Sequence, residues 1–357
     1  MIAFVIFAVL LVLALEHWML GTDLKDVDGG HRPDVRVVEP DQVFHVQVTL
    51  KNRSRRMIPF LRVTETFEEP VLPAGKEPAG KKDRFDSFRH THDVEFTTWL
   101  RRGQTVTRAV PVSVPQRGRY VLREFKLSAG DFLGLKETEK TCGRFCEVVV
   151  APREIRTRRL DEMFGGYMGE LSVNRFILED PVLTLGYREY TGREPMKMIS
   201  WKQSAKGAGL MVKKYDYTVE PTVTVILNVD TPAENREELA ETCFSLARSV
   251  CAMLEKQGVK YDFVTNSVPA GAAAEITGEG LGRRHFGGVL ETLGRATCQN
   301  NISLERLLEK ESRRSHAAGR ILITPGAGEE NGRALNRLRE FGGAVMVLRG
   351  SEVRQWQ

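Results

Sequence analysis

The run TVTVILNVD at residues 222–230 constrains the fold more than any other stretch of the chain. Its near-continuous β-branched run is the mark of a strand covered on both faces. Such a strand belongs in a parallel sheet flanked by helices, and the following residues supply the parts. Residues 233–257 read as an amphipathic helix with Leu239, Cys243, Leu246, Val250 and Leu254 on one stripe and Gly258 as its stop. YDFVT (261–265), RILITP (320–325) and AVMVLR (344–349) read as further strands, and helical patterns fall near 286–296, 302–314 and 329–341. Strand, helix, strand, helix, strand with buried apolar strands predicts a parallel sheet with helices on both faces.

The earlier part of the chain has a different period. DVRVVE, QVFHVQVTLK, FLRVTETF, HDVEFTTWL, TVTRAVPVSV and GRYVLREFKL alternate. In QVFHVQVTL, Phe44, Val46, Val48 and Leu50 fall on one face and Val43, His45, Gln47 and Thr49 on the other, the pattern of a half-buried strand. An antiparallel β-sandwich over residues 34–152 is expected. The glycine-containing 21–33 reads as a linker and the breaker-rich 73–83 as an exposed loop. REIRTRR (153–159), with four arginines in seven residues, and the glycines after it read as a connecting segment over 153–186, its charges a solvated face.

Residues 2–15 are fourteen uninterrupted apolar residues. With Trp18 as an interface anchor, and with neither a basic n-region nor a small-x-small cleavage site, they are expected to open a membrane anchor over 1–20 rather than a cleaved signal. Lys25, Arg32 and Arg36 on the C-terminal side place the bulk of the chain in the cytoplasm by the positive-inside rule. Five scattered cysteines, an odd number, fit a reducing compartment better than a disulfide framework. Cys142 and Cys146 in CGRFC lack a second ligand pair at a zinc-like spacing. No GxSxG, HExxH, P-loop or Rossmann glycine set occurs, and His285 and His316 stand alone, so no catalytic residue is assigned and no enzyme is expected.

REYTGREPMKMISWKQSAK (188–206) is the remaining unusual stretch. Three further features accompany it: the N-terminal apolar run, RGRY with GDFLGL at 117–135, and VVVAPR at the end of the sandwich. Together they resemble the bacterial family known as domain of unknown function 58. Its signature falls without gaps on Arg188, Tyr190, Lys197, Ile199, Trp201, Ser204, Ala205 and Lys206, followed by LMVKKY (210–215). The family's Gly-Asp falls instead on Arg193 and Glu194 with a glycine one place early at Gly192, so any turn that needs a positive φ must be rebuilt around Gly192. Two of the family's arginines are lysines here.

The resemblance implies a membrane-anchored protein, often encoded beside a MoxR-type AAA+ ATPase, whose C-terminal half is similar to a von Willebrand factor A domain. The expected fold class is therefore α+β multidomain: a membrane helix (1–20), a linker (21–33), a β-sandwich (34–152), a connecting segment (153–186) and an α/β, Rossmann-like von Willebrand factor A-like domain (187–350). Metal-binding A domains use Asp-x-Ser-x-Ser; here Asp230 is followed by Pro232 and Glu234 in the serine positions, leaving Asp230 as a degenerate candidate for Mg²⁺. TPAE reads better as a helix start, with Thr231 as N-cap and Glu234 closing a capping box. No cofactor is expected.

Two functions compete for the basic segment. One is a scaffold or adaptor that docks a cytoplasmic AAA+ ATPase through Arg188, Tyr190, Gly192, Lys197, Trp201, Ser204 and Lys206. The other is a binder of nucleic acid or an anionic polymer, suggested by seven basic side chains against two acidic ones beside Tyr187, Tyr190 and Trp201. No nucleic-acid partner is expected, because no matching motif accompanies the segment. Its aromatics are expected to pack under the sheet, with Glu194 and Pro195 opening a short helix on which Met198, Trp201 and Ala205 share a face. A metal-dependent A-domain adhesion module is a third alternative.

Overall fold

The computed structural model describes residues 23–74, 82–86, 90–130, 137–177, 184–192, 194–206, 209–215, 222–231, 234–273, 278–312, 318–326 and 343–356, together with Ile6, Phe7, Leu10, Asn336 and Leu338. The chain divides into two compact units, Met1–Arg153 and Glu154–Gln357.

The first unit is built from strands β1 (Val27–Pro33), β2 (Val37–Val38), β3 (Phe44–Asn52), β4 (Ile58–Glu68), β5 (Leu72–Pro73), β6 (Lys82–Asp86), β7 (Thr91–Leu100), β8 (Thr105–Ser113), β9 (Gly118–Leu122), β10 (Phe125–Gly130), β11 (Glu137–Cys142) and β12 (Cys146–Val150). They form sheets ordered β1-β3-β8-β5, β11-β10-β4-β7-β6 and β2-β12-β9. One apolar core joins them: Phe44, Val46, Val48 and Leu50 of β3 meet Leu61, Val63 and Phe67 of β4, and Phe96, Val112 and Leu127 from the neighbouring strands. Alternation drives this packing, since successive side chains of a strand face opposite sides and only one side is apolar.

The segment 21–33 is more than a linker, because β1 occupies Val27–Pro33 and pairs antiparallel with β3 along its whole length. One of its glycines serves packing: a Cβ on Gly29 would lie 2.9 Å from Cys142 Cβ and from Phe125 Cζ. Its glycines made the stretch look like a flexible connection.

In the second unit, helix α1 (Arg158–Ile177) occupies most of the expected connecting segment. Leu160, Phe164, Tyr167 and Leu171 recur at helical spacing and are buried. β13 (Thr184–Glu189) and β14 (Met211–Tyr215) form an antiparallel ribbon, within which lies the one-turn helix α2 (Trp201–Ser204). β15 (Val223–Leu227) is flanked by β16 (Tyr261–Thr265) and β19 (Gly319–Thr324), with β20 (Ala344–Arg349) outside β19, and all these pairs are parallel. Every residue of β15 and β19 is buried.

Val223, Val225 and Leu227 face a cluster that includes α1, α3 (Arg236–Gln257) and α4 (Arg283–Arg295), whereas Ile226 faces α5 (Leu304–Ser312). A short ribbon of β17 (Ser267–Pro269) and β18 (Ala296–Asn300) completes the described elements. Gly258 ends α3 with φ 70°, its N–H donating to the Leu254 and Glu255 carbonyls. Most of the helix expected over 329–341 lies outside the described residues.

The expected fold class needs correction. Among the described residues strand outweighs helix, and twelve of the twenty strands, β1–β12, belong to the sandwich unit. No helix among the described residues is long and apolar enough to cross a membrane. Of residues 1–20 only Ile6, Phe7 and Leu10 are described. The expected anchor over 1–20 thus lies outside the described residues apart from these three, and no described helix supplies a single-pass span, a lipid contact or a membrane localisation in its place. Physically, fourteen apolar residues fall short of the roughly 20 that a helix needs to span a bilayer core.

Candidate functional site

The stretch 188–210 is folded by main-chain pairing. Arg188 lies opposite Val212 and Glu189 opposite Met211 in the β13–β14 ribbon. Tyr190 N–H donates to the Leu210 carbonyl at 2.8 Å, and Ser200 N–H donates to the Met211 carbonyl at 2.8 Å. Ile199 pairs with Val212, and both are buried. Ser204 ties the turn of α2 to the strand: its hydroxyl donates to the Ser200 carbonyl and accepts from Met211 N–H, each at 2.9 Å.

A second clasp closes the outer loop. Glu194 accepts from the Thr191 hydroxyl at 2.8 Å, the Thr191 amide at 3.1 Å and Arg188 Nη1 at 2.6 Å. The Thr191 hydroxyl, followed by the Arg188 guanidinium and the Thr191 amide, holds the Glu194 carboxyl down at about 2. It is therefore a fixed anion.

The turn between these bonds uses Gly192 at φ 87°, the left-handed region the sequence required of it, while Arg193 lies outside the described residues. A Cβ on Gly192 would meet nothing within 4 Å, so its conformation alone demands glycine. Gly192→Ala is expected to cost about 1 kcal/mol of stability. A thermal melt in which the variant matches the parent would remove this requirement.

These clasps present apolar surface to solvent. Met196 is 69% exposed and Trp201 61%, with Tyr187 and Leu210 also exposed. Lys197, Lys202 and Lys206 are exposed around them, and Tyr190 is half-buried. This corrects the expected packing of the aromatics under the sheet. Ile199, Ser200 and Val212 are buried where the helix was expected to seat Met198, Trp201 and Ala205, because α2 is four residues long and cannot carry an i, i+3, i+7 stripe. Pro195 opens a three-residue 3₁₀ turn, Met196–Met198, and Glu194 folds back on Thr191 instead of capping a helix.

Asp230 lies past the end of β15 in a main-chain knot. Its N–H donates to Asn228 Oδ1 at 3.0 Å and its carbonyl accepts from Asn228 Nδ2 at 3.2 Å. Buried Asn266 donates to Asn228 Oδ1 at 2.7 Å and to the Ile302 carbonyl at 3.1 Å, and accepts from Val229 N–H at 2.9 Å; Asn228 also donates to Thr324 Oγ1. Helix α3 starts at Arg236 after Asn235, so Thr231 and Glu234 are not its capping pair. Among the described residues, no group of three or more His, Cys, Asp or Glu is arranged to hold a metal ion. His285 stacks edge-on against Tyr261 at 4.7 Å, and His316 lies outside the described residues.

Sequence reasoning missed a buried ion pair in the sandwich. His31 Nδ1 donates to Glu65 at 3.0 Å and Nε2 donates to the Arg144 carbonyl at 3.1 Å, with side chains 0% and 2% exposed. Both ring nitrogens face acceptor groups, the Glu65 carboxyl and the Arg144 carbonyl, an arrangement that favours the imidazolium. Burial, the largest influence, opposes that charge. Hydrogen bonds to Cys146 and Glu65 and the Glu65 charge outweigh it, raising the ring to about 10. The signal was available in FLRVTETF, where period 2 places Glu65 in phase with inward Leu61, Val63 and Phe67.

No family model and no curated protein matches the chain. Solved structures do. The CARDB domain of the PF1109 protein from Pyrococcus furiosus, in complex with di-metal ions, is 16% identical over 35% of this chain and 92% of that one, with a TM-score of 0.23. A type II cohesin domain from the cellulosome of Acetivibrio cellulolyticus is 7% identical over 34% and 94%, with a TM-score of 0.26. A non-cellulosomal cohesin from Archaeoglobus fulgidus is 11% identical over 34% and 91%, with a TM-score of 0.23. The A-domain assignment of 187–350 is corrected to what the described residues show, a parallel sheet ordered β16-β15-β19-β20 packed against α1, α3, α4 and α5, with an asparagine knot holding the main chain at Asp230.

Proposed function

We propose that this chain is a non-catalytic adaptor that docks a protein partner on the 188–210 hairpin, and that the partner is a MoxR-type AAA+ ATPase, as the resemblance to domain of unknown function 58 implies. One observation carries the reading: Trp201 and Met196 are 61% and 69% exposed on a backbone held by main-chain pairing and by the Ser204 and Glu194 bonds. Large apolar side chains exposed on a fixed backbone are the material of interaction surfaces, and Trp is enriched among the residues that dominate binding energy. A fixed backbone lowers the ordering cost of association. The ribbon's structural residues and its contact residues are distinct: Ile199, Ser204 and Val212 build it, while Met196, Trp201 and the lysines face outward.

Binding of the purified ATPase, followed by calorimetry with the full chain, tests this. Trp201→Ala is expected to weaken the complex by about 2 kcal/mol, roughly thirtyfold, with an unchanged melting temperature. An affinity within about twofold of the parent would reject the hairpin as the docking site.

A further inference from the structure

We infer that the segment seated on this hairpin is an acidic peptide bearing an apolar anchor, with Asp or Glu side chains around one large apolar residue. The inference rests on the docking reading above and adds the chemistry of what docks.

The centre of the surface is apolar, and its two most exposed members differ in kind. Trp201 offers a rigid face, and Met196 a flexible side chain that adapts to the shape of an inserted group. Each is followed by a lysine, Lys197 and Lys202, and Lys206 lies one turn further on; all three are exposed. Among the described residues none of these lysines enters an ion pair. The nearest anion in sequence, Glu194, is already occupied by Arg188 and Thr191. The described hairpin therefore exposes Met196 and Trp201 with three lysines outside any ion pair against one exposed carboxylate, Glu189, and the complementary partner is apolar within and acidic around.

A phosphate polymer fits less well. Sequence-tolerant binding of single strands uses successive aromatic stacking faces, and here the two exposed aromatics, Trp201 and Tyr187, sit on different elements, α2 and β13. Arginine is the side chain that grips phosphate with two bonds, and Arg188 is committed to Glu194. Lysine point charges serve carboxylates without that geometry.

Fluorescence anisotropy with the full chain provides the test, using labelled peptides of equal length: Asp/Glu-rich around Phe-Leu, the same with Lys for each acid, and the acidic peptide with Ser for Phe-Leu. An oligothymidine is the polyanion control. At an ionic strength of about 0.15 M the acidic apolar peptide is expected to bind at least about tenfold more tightly than either other peptide. Lys197→Glu and Lys202→Glu are each expected to weaken it by about three- to tenfold, chiefly through slower association that becomes insensitive to salt. Trp201→Ala is expected to weaken it at least about tenfold.

Equal binding of the acidic and basic peptides, or charge reversals without effect, overturns the acidic class. If ATPase binding is still lost in Trp201→Ala, the docking reading survives that failure. Salt-sensitive oligothymidine binding tighter than the acidic peptide, and lost in the same variants, overturns the inference in favour of a polyanion. Loss of both peptide and ATPase binding in the folded parent chain removes both readings.

Discussion

Glu65→Leu is expected to destabilise the Met1–Arg153 unit by about 3–5 kcal/mol, the cost of removing one partner from a buried ion pair. Glu65 lies on β4 and His31 on β1, strands of different sheets, so their bond ties those sheets across an otherwise apolar core. With leucine in place, the imidazolium keeps the Arg144 carbonyl but faces Phe125, 5.4 Å away between ring centres, without a counter-charge. The double variant His31→Leu/Glu65→Leu is expected to recover most of the loss, because a matched apolar pair is often as stable as a buried ionic one. Urea unfolding followed through Trp99 reads this unit. A Glu65→Leu shift under about 1 kcal/mol would mean that the charges are not coupled in the fold.

The same pair sets a pH dependence with a defined sign. His31 in the fold titrates at about 10, above its ordinary 6.5, so protonation favours the folded state. Its contribution is complete below 6.5 and is lost as pH rises through about 10. Stability of the sandwich is therefore expected to fall across that window in the parent chain. The part of the slope that disappears in the double variant measures the pair.

Asn266→Leu is the second large effect, expected at about 3 kcal/mol. Asn266 bonds Val229 N–H, Asn228 Oδ1 and the Ile302 carbonyl, so its loss strands several main-chain and side-chain groups in a buried place. Each buried group left without a partner costs about 1–3 kcal/mol. Thr324→Val removes one bond from the same knot and is expected to cost about 1 kcal/mol, since Asn228 Nδ2 retains the Asp230 carbonyl. Chemical unfolding of the Glu154–Gln357 unit compares the two. Equal small shifts would show that the network is replaced by water.

Much of the fold was legible. The inward face of β3, the two-sided burial of β15 and the stop at Gly258 follow from periods of 2 and 3.6 and from one residue's φ preference. What went unread has consistent causes. β1 and α1 were hidden by glycines that resemble linker composition; in β1, Gly29 is there for close packing against Phe125 and Cys142. The candidate site was legible as a segment, and Gly192 as its turn, but the orientation of its aromatics was not.

By itself the sequence determined which stretches extend, which coil and where the chain must turn, because these depend on residues within a few positions of each other. Only the tertiary structure decided that Glu65 would be neutralised by a histidine 34 residues away, that Asn266 would meet Asn228 across 38, and that Trp201 would face water. Burial and charge state are set by neighbours that folding brings together, and no local period encodes them.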